Sequence, residues 1–446
     1  MQPGENLYLV GGAIRDGLLF KPNNDLDFVG TGDTRTIGRK LAERLSGAFF
    51  ILDEERNACR VIAKNKQGGR LVFDFTQMRG KSLFDDLIER DFTINAMAVN
   101  LANLVEIIDP LKGEHDLFEK CLRPCKNSTF ADDPLRIIRA IRYSTKYNLQ
   151  IELSTCELLK KAISGLAFIS KERKRDELFK LLEAENPWIA LKLLADYEIL
   201  PHINLGNHPD TGRAVLRLKI YSEMVNCLLQ DEPYRGLDNS KLNSFYSAFS
   251  DIRESIREHF AQINHSERSV QALDGLIAFI WDMDDIDGYQ AAEGLALSKE
   301  EQGHINLVLR NKGCISDYYT SHINPNRKFI YHYFHALGAV GLDVAILSLV
   351  EAALYQPDEG DDRYWSGLVK FCLQLVNVWY LNQEYVNPKL FLTGRDLMFE
   401  FDIQQGPQIG RLLDGLREEQ ALGSIQNRTQ ALAWVDSQIQ KGFIDR

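Results

Sequence analysis

The stretch from Leu7 to Val29 is the part of the chain that most constrains its fold. It contains a short apolar segment, a pair of glycines at Gly11 and Gly12, an amphipathic segment, and a second apolar segment that carries Asp25 and Asp27. This order predicts a strand, a glycine turn, a short helix and a second strand. Because residues two apart in a strand point to the same side, we expect the two carboxylates to lie side by side.

Two convergent carboxylates on a strand are suitable ligands for one or two Mg²⁺ ions. Metal ions about 4 Å apart can hold the attacking and the leaving oxygens of a phosphoryl transfer. The glycine pair would let a phosphate approach the N–H groups of the following helix, and Arg15 is a candidate bidentate phosphate partner. An exposed acidic turn is the alternative interpretation of Asp-x-Asp, but the glycine turn and the flanking strands favour the metal site.

Length and composition indicate a globular protein of several domains, because 446 residues are too many for one core. The most apolar segment, Ala336–Leu354, contains Asp343 and Glu351, so no membrane span is predicted. The N-terminus lacks the pattern of a signal peptide, and seven cysteines without zinc or disulfide spacing fit a reducing cytoplasm. The net charge of -11 disfavours a nucleic-acid partner unless the basic residues are concentrated on one face.

The pattern of secondary structure changes along the chain. Helices are predicted over Thr36–Leu45 and Thr93–Leu101, and helical periodicity dominates from about Asp132 to the end. The predicted strands are Leu7–Val10, Leu26–Val29, Ala48–Leu52, Arg60–Ala63, Leu71–Thr76 and Leu104–Asp109. The expected fold class is α+β, with a mixed or antiparallel sheet and helices in an N-terminal head, followed by an all-α remainder.

A second group of polar residues, Arg90, Asp91 and Asn95, stands at the start of the predicted helix over Thr93–Leu101. In one interpretation Asp91 caps this helix and Asn95 is a surface residue. In the other, Asp91 and Asn95 bind sugar hydroxyls and Arg90 reaches a phosphate. The segment Asp109–Asp116, which follows the last predicted strand, is either an ordinary turn or a further functional loop.

A third group, Asp133 and Arg136, is expected on one face at the start of the first long helix, since the two are three residues apart. They form either an N-terminal salt bridge or a base-reading pair. As a base reader, Asp133 would accept from the amino group of C or A, and Arg136 would donate to the neighbouring ring acceptor. U and G present a carbonyl at that place, which leaves two acceptors facing each other.

Three further features have two interpretations each. Arg139, Arg142 and Lys146 form a basic stripe, which is a solvated helix face or a contact for RNA phosphates. The charged helix that contains Glu172 and Arg173 is a solvated face or a brace for the Asp133 motif. Asp74 is a third metal carboxylate or a hydrogen-bond partner of a neighbouring strand.

Taken in order, these motifs resemble those of the class II tRNA nucleotidyltransferases, the CCA-adding family that includes bacterial poly(A) polymerases. Weaker similarity continues at Leu392–Leu397 and Gly406–Leu413. Two positions depart from the family pattern. Glu89 stands where the family usually has the first of two arginines, and Asp132 replaces a glutamate in the template motif.

The resemblance implies a nucleotidyltransferase head over residues 1–125, a helical neck with a nucleotide template over 126–205, a helical body over 206–355 and a helical tail that contacts tRNA over 356–446. It implies addition of C and A to the tRNA acceptor end from CTP and ATP without a nucleic-acid template, with no membrane partner. The sequence does not indicate an oligomeric state.

The resemblance also assigns roles to residues. Asp25 and Asp27 would bind two Mg²⁺ ions at the catalytic centre. The triphosphate would be bound by Gly11, Gly12 and Arg15, the ribose by Arg90, Asp91 and Asn95, and the base by Asp133 and Arg136. Supporting positions are Asp74, Arg139, Arg142, Glu172 and Arg173.

The segment between Thr76 and Arg90 is short. Family members that build the whole CCA end usually have a longer flexible loop here, whereas those that add only CC tend to have a shorter one. The resemblance therefore favours CC addition. One alternative is a poly(A) polymerase acting on RNA 3′ ends. Another is a non-catalytic RNA-binding protein on the same scaffold, which is disfavoured by the intact residues Asp25, Asp27, Asp91 and Arg136.

Overall fold

The computed structural model describes residues 6–205, 209–229, 240–263, 268–283, 285–354 and 362–441. The chain forms two compact units. The first comprises the residues up to Lys180 together with Leu193–Ile203, and the second comprises Leu181–Lys192 and the residues from Asn204 onward. An N-terminal unit with a sheet and helices, followed by a helical remainder, confirms the expected fold class. The finer division into head, neck, body and tail stays a prediction.

A seven-stranded mixed sheet forms the centre of the first unit. The strands of the chain are β1 (Leu7–Val10), β2 (Asp25–Gly30), β3 (Ala48–Asp53), β4 (Ala58–Lys64), β5 (Arg70–Gln77), β6 (Ala98–Asn100), β7 (Asn103–Ile108), β8 (Cys121–Leu122) and β9 (Gln150–Ile151). The large sheet has the order β3-β4-β5-β2-β1-β6-β7, and β8 pairs with β9 separately. Within the large sheet β2 and β5 are parallel, and the other neighbours are antiparallel.

The helices of the N-terminal half are α1 (Gly12–Leu18), α2 (Thr34–Leu45), α3 (Leu83–Ile88), α4 (Gly113–Phe118), α5 (Thr129–Asp132), α6 (Arg136–Tyr147), α7 (Leu153–Ala162), α8 (Lys171–Leu182) and α9 (Pro187–Asp196). Short 3₁₀ helices cover Thr93–Asn95, Ile163–Phe168 and Leu200–Ile203. Both faces of the large sheet carry apolar clusters. One contains Phe28 and Phe75, with ring centroids 4.9 Å apart, and the other contains Val10 and Val29.

The predicted helix over Thr93–Leu101 is wrong. Only Thr93–Asn95 is helical, as a 3₁₀ turn, and the chain then continues into β6. β6 pairs antiparallel with β1 and with β7, which satisfies its backbone groups across the sheet. A short apolar run such as Ile94-Asn95-Ala96-Met97-Ala98 has no period that separates a strand from a helix, so tertiary pairing decides.

The predicted common helix face of Asp133 and Arg136 is also wrong. α6 begins at Arg136, and Asp133 lies before it in an extended conformation with φ -147° and ψ 95°. The ring of Pro134 disfavours the helical conformation of the residue that precedes it. Asp133 therefore leaves α5 and approaches the site from a loop.

In the described residues of the second unit, the named elements of secondary structure are all helices. Its further helices are α10 (Thr211–Leu229), α11 (Ser240–Phe249), α12 (Arg253–Ala261), α13 (Val270–Ile280), α14 (Asp285–Gly294), α15 (Lys299–Arg310), α16 (Cys314–Ser321), α17 (Arg327–Leu337), α18 (Val340–Leu354), α19 (Asp362–Leu381), α20 (Gly394–Phe401), α21 (Pro407–Leu422) and α22 (Arg428–Gln440), with 3₁₀ helices at Ser250–Ile252 and Gln383–Tyr385. In the described part of the chain no single helix has the length and apolar character to cross a membrane. Among those residues, only α17 and α18 taken together have that length and apolar character, and the chain bends by 109° between them.

Candidate active site

A cavity of about 600 Å³ in the first unit brings most of the predicted site residues together. Those that line it are Gly11, Gly12, Arg15, Asp25, Asp27, Arg90, Asp91, Asn95, Asp133, Arg136, Arg139, Arg142 and Arg173. Asp74 and Glu172 are not part of the lining, and Glu172 is exposed. Residues that are distant in sequence thus face one space.

Asp25 and Asp27 lie at the start of β2, both with carboxylates accessible from the cavity. Desolvation by the surrounding protein, followed by the charges of Asp74 and Asp25, raises the pKa of Asp27, and Arg90 opposes this shift. A cation held between the two carboxylates would offset their repulsion. Carboxylate oxygens on a rigid strand are also ligands that Mg²⁺ prefers, so these residues fit a divalent metal site.

Asp74 lies beside Asp27 in the register of the parallel β2 and β5. Its two carboxylate oxygens accept from Nε and Nη2 of Arg60, at 2.8 and 2.7 Å, and Arg60 is directly opposite it on β4. This is a hydrogen-bonded pair with a neighbouring strand, one of the two alternatives for Asp74. In this arrangement Asp74 acts on Asp27 through its charge.

The glycine turn brings the backbone close to the charged side chains. Gly11 has a φ of +74°, and a Cβ on it would lie 3.0 Å from Nη1 of Arg90. The guanidinium of Arg15 is buried. It donates to Asp16 Oδ1 from Nε at 2.9 Å, donates to Asn95 Oδ1, and lies 4.3 Å from the ring centroid of Tyr147. Arg15 therefore holds Asn95 in place, and its contact with a phosphate stays a prediction.

Asp91 is buried and accepts hydrogen bonds through both carboxylate oxygens. Its Oδ1 accepts from Asn95 Nδ2 at 2.9 Å and from the Phe92 N–H at 2.8 Å, and its Oδ2 accepts from Arg139 Nη2 at 2.6 Å. Burial opposes ionisation, but Arg139 and these hydrogen bonds hold the pKa of Asp91 below its usual value. Asn95 is buried as well, which excludes the surface role proposed for it as the alternative.

Glu89 and Asp132, the two positions that depart from the family pattern, both form ion pairs with Lys126. Nζ of Lys126 lies 2.6 Å from both carboxylate oxygens of Glu89 and 3.0 Å from Oδ2 of Asp132. The hydrogen bonds to Glu89 and Asp132 raise the pKa of Lys126. Lys126 thus links the segment before Arg90 with the segment before Asp133.

Asp133 and Arg136 are held by different parts of the first unit. Oδ2 of Asp133 accepts from Arg173 Nη2 at 2.9 Å, which connects it to α8. Arg136 instead donates from Nη2 to the carbonyl oxygen of Glu89 at 2.8 Å and from Nη1 to that of Arg90 at 3.3 Å. The α8 helix is therefore a brace for the Asp133 motif through Arg173.

Sequence reasoning assigned no role to two residues of this network, Tyr147 and Glu177. Tyr147 donates from its hydroxyl to Asp16 Oδ1 at 2.8 Å, and buried Glu177 accepts from Arg142 Nε at 2.8 Å and lies 3.6 Å from Nη1 of Arg139. The sequence contained an indication for Tyr147. It follows Arg139 by two intervals of four residues, which places both side chains on the same face of α6. The buried state of Glu177 depends on packing and had no local signal.

Comparisons with known proteins identify the relatives of this chain. The family "Poly A polymerase head domain" matches residues 7–123, and "Probable RNA and SrmB- binding site of polymerase A" matches residues 148–209. The CC-adding tRNA nucleotidyltransferase of Geobacter sulfurreducens is 30% identical over 96% of this chain and 91% of its own length. The A-adding tRNA nucleotidyltransferase of Deinococcus radiodurans is 27% identical over 96% of this chain and 94% of its own length.

A solved structure has a similar fold. A CCA-adding enzyme in its apo form superimposes with a TM-score of 0.65 and 21% identity, covering 97% of this chain and 90% of that protein. The match to the Geobacter protein extends over nearly the full length of both chains, beyond the nucleotidyltransferase head alone. The chain therefore belongs to the class II tRNA nucleotidyltransferases.

Proposed function

We propose that this enzyme adds the two cytidines of the CCA end to tRNA, using CTP and no nucleic-acid template. It is a nucleotidyltransferase acting on tRNA 3′ ends, as its family membership shows. The choice between CC, A and whole-CCA addition is the part that we propose. Full-length relatives of both the CC-adding and the A-adding kind exist, so family membership leaves this choice open.

The segment between β5 and Arg90 is the observation that carries the proposal. Ser82 and Asp85 form a capping box at the start of α3, so an ordered helix begins soon after β5 ends at Gln77. Asp86 is buried and accepts from the Arg79 N–H at 3.1 Å and from Arg90 Nη2 at 3.1 Å. The segment is therefore short and tied to Arg90, which matches the shortened loop expected of CC addition.

The family depends on a divalent metal, and we assign two Mg²⁺ ions to Asp25 and Asp27. Bound metal would polarise the triphosphate and lower the pKa of the attacking 3′-hydroxyl. Asp27, whose pKa is raised by desolvation, must be ionised to take this role. Arg90 lies beside both Asp27 and the backbone of Gly11, where it can hold phosphate oxygens.

The remaining cavity residues orient the nucleotide in this proposal. Asp91 and Asn95 form a rigid polar pair for the ribose hydroxyls. Oδ2 of Asp133 accepts a hydrogen bond from Arg173. In the described residues its Oδ1 accepts one hydrogen bond, from the Leu135 N–H at 3.2 Å. Asp133 therefore has acceptor capacity left for the amino group of a base. Arg136 would donate to the adjacent ring acceptor, so the pair would favour C and A over U and G.

The decisive experiment is incorporation into a tRNA transcript that lacks its CCA end, with labelled CTP, ATP or both, resolved at single-nucleotide length. We expect two cytidines and then a stop, even with ATP present. Completion to CCA would contradict the CC assignment, a single A on a CC-ended tRNA would favour the A-adding class, and a long A ladder would indicate a poly(A) polymerase.

The same assay tests the metal assignment with a matched pair of variants. Asp25→Ala combined with Asp27→Ala should abolish incorporation while tRNA binding in a filter assay is retained. Asp53→Ala, an exchange on a different strand of the same sheet, serves as the control and should leave incorporation intact. Incorporation by the double variant at the wild-type rate would make the metal assignment wrong.

A further inference from the structure

The second unit contains a buried cluster of two histidines and two aspartates, contributed by four helices. Asp274 is on α13, His304 on α15 and Asp343 on α18. One ligand atom from each of these three residues lies within 4.8 Å of the other two. His259, on α12, contacts Oδ1 of Asp343 through its Nε2. All four lie in the second unit and are separate in sequence from the nucleotidyltransferase motifs.

The carboxylates of this cluster are incompletely satisfied. Asp274 is fully buried and Asp343 is 1% exposed. Oδ2 of each has no hydrogen-bond partner among the residues that the structure describes, although His304 Nε2 lies 3.5 Å from Oδ2 of Asp343. Buried polar atoms are normally paired, and a buried carboxylate oxygen is among the most costly to leave alone. These two oxygens without a hydrogen bond point to a ligand.

A small cation is the ligand that this geometry accommodates. Two carboxylates approach one imidazole, since His304 Nε2 is 3.1 Å from Oδ1 of Asp274. The same Nε2 lies 3.5 Å from Oδ2 of Asp343, so two carboxylates share one small space, and a cation between them would relieve their repulsion. An organic cation would need more room than three ligand atoms within 4.8 Å of one another leave, whereas a metal ion needs about 2 Å to each ligand.

We propose that Asp274, His304 and Asp343 bind one divalent transition-metal ion of the Mn²⁺ to Zn²⁺ series. Carboxylate and imidazole together form the ligand set that such ions accept, and two carboxylates with a neutral imidazole balance a charge of +2. His259 has a positioning role. By holding Oδ1 of Asp343, it orients the carboxylate so that Oδ2 faces the other two ligands.

The site has an entry path. A cavity of about 270 Å³ is lined by His259, His304 and Asp343, together with exposed Glu300. It offers room for a water molecule in a fourth coordination position, as in metal sites with three protein ligands. Because the ligands come from α13, α15 and α18, the bound ion would tie these helices of the second unit together.

The test uses the tag-free full-length chain carrying Asp25→Ala and Asp27→Ala, which removes the carboxylates assigned to Mg²⁺. The protein is stripped with a chelator and titrated with Co²⁺, followed by visible absorption, and with Zn²⁺ in competition with a chromogenic chelator. We expect one equivalent of either ion per chain. Asp274→Asn and His304→Gln should weaken Zn²⁺ binding by at least about 100-fold, and His259→Gln by about tenfold.

His332→Gln is the matched control, because this half-exposed histidine pairs with Glu418 at 3.0 Å outside the cluster. It should leave Zn²⁺ affinity unchanged. Binding of less than one equivalent by the chain with an intact cluster would overturn the proposal, and that result is independent of whether any cluster variant folds. Equal Zn²⁺ affinity of the Asp274→Asn chain, with its circular dichroism spectrum retained, would overturn it as well.

Discussion

At the scale of single residues, the side chains proposed to read the base depend on partners that do not touch it. Asp133 is outside the helix that begins at Arg136, and its conformation is set by Pro134 and by the ion pair with Arg173. Arg173 is half exposed, so the pair contributes about 1 kcal/mol or less to stability. Its main effect should be on the orientation of Asp133.

Arg173→Ala should therefore impair nucleotide choice more than folding. We expect the ratio of kcat/KM for CTP over UTP to fall about fivefold, the equivalent of about 1 kcal/mol, with an unchanged Tm. Arg175→Ala, on the same helix and paired with Asp176 at 2.9 Å, is the control. An unchanged CTP to UTP ratio in Arg173→Ala would mean that the pair does not orient Asp133.

At the scale of elements, the 3₁₀ turn that carries Asn95 is supported by α4. Asp109 accepts from the N–H groups of Gly113 at 2.8 Å and Glu114 at 2.9 Å, which caps this helix. Thr93 Oγ1 donates to buried Asp116 Oδ2 at 2.8 Å. The segment Asp109–Asp116 is thus an ordered turn and helix that packs directly on the proposed ribose site.

Gly113→Ala should disturb this contact, because a Cβ at Gly113 would lie 2.0 Å from the carbonyl oxygen of Thr93. We expect a loss of about 1–3 kcal/mol in the free energy of unfolding and a raised KM for CTP as the turn shifts. Gly17→Ala is the control, since nothing lies within 4 Å of a Cβ at Gly17 in α1. If Gly113→Ala had the same stability and the same KM for CTP as wild type and Gly17→Ala, the contact between Gly113 and Thr93 would not support the ribose site.

At the scale of the whole molecule, two compact units with separate apolar cores need not unfold together. The five tryptophans are Trp188, Trp281, Trp365, Trp379 and Trp434, and all of them belong to the second unit. Tryptophan fluorescence therefore reports on the second unit, whereas far-ultraviolet circular dichroism reports on both.

Asp91→Asn should destabilise the first unit by about 3 kcal/mol, because Arg139 loses the partner of an enclosed ion pair. The circular dichroism transition in urea should shift, and the fluorescence transition should stay. Since the pKa of Asp91 is lowered in the folded state, its contribution is complete above about pH 4 and lost as the pH falls through the folded value. The stability gap between wild type and variant should shrink only in that acid range.

A shift of both transitions by the same amount would show that the two units unfold as one. A stability gap that closes between pH 5 and 7 would contradict the lowered pKa of Asp91. Urea unfolding followed with both probes on the same samples distinguishes these outcomes.

The sequence by itself determined the local features of this protein. The alternation around Asp25 and Asp27 placed both carboxylates on β2, and the glycines before Arg15 marked the turn into α1, because strand period and glycine conformation act over a few residues. The order of the motifs was enough to indicate the family, since each motif is contiguous in the chain.

Only the tertiary structure decided what depends on distant partners. Pairing with β1 makes Ala98–Asn100 a strand. The folded chain also brings Arg139 within hydrogen-bond distance of Asp91, and Arg173 within hydrogen-bond distance of Asp133. It also gathered Asp274, His304 and Asp343 from three helices. Pairing across a sheet and burial of charge are properties of the folded whole, so no local pattern could report them.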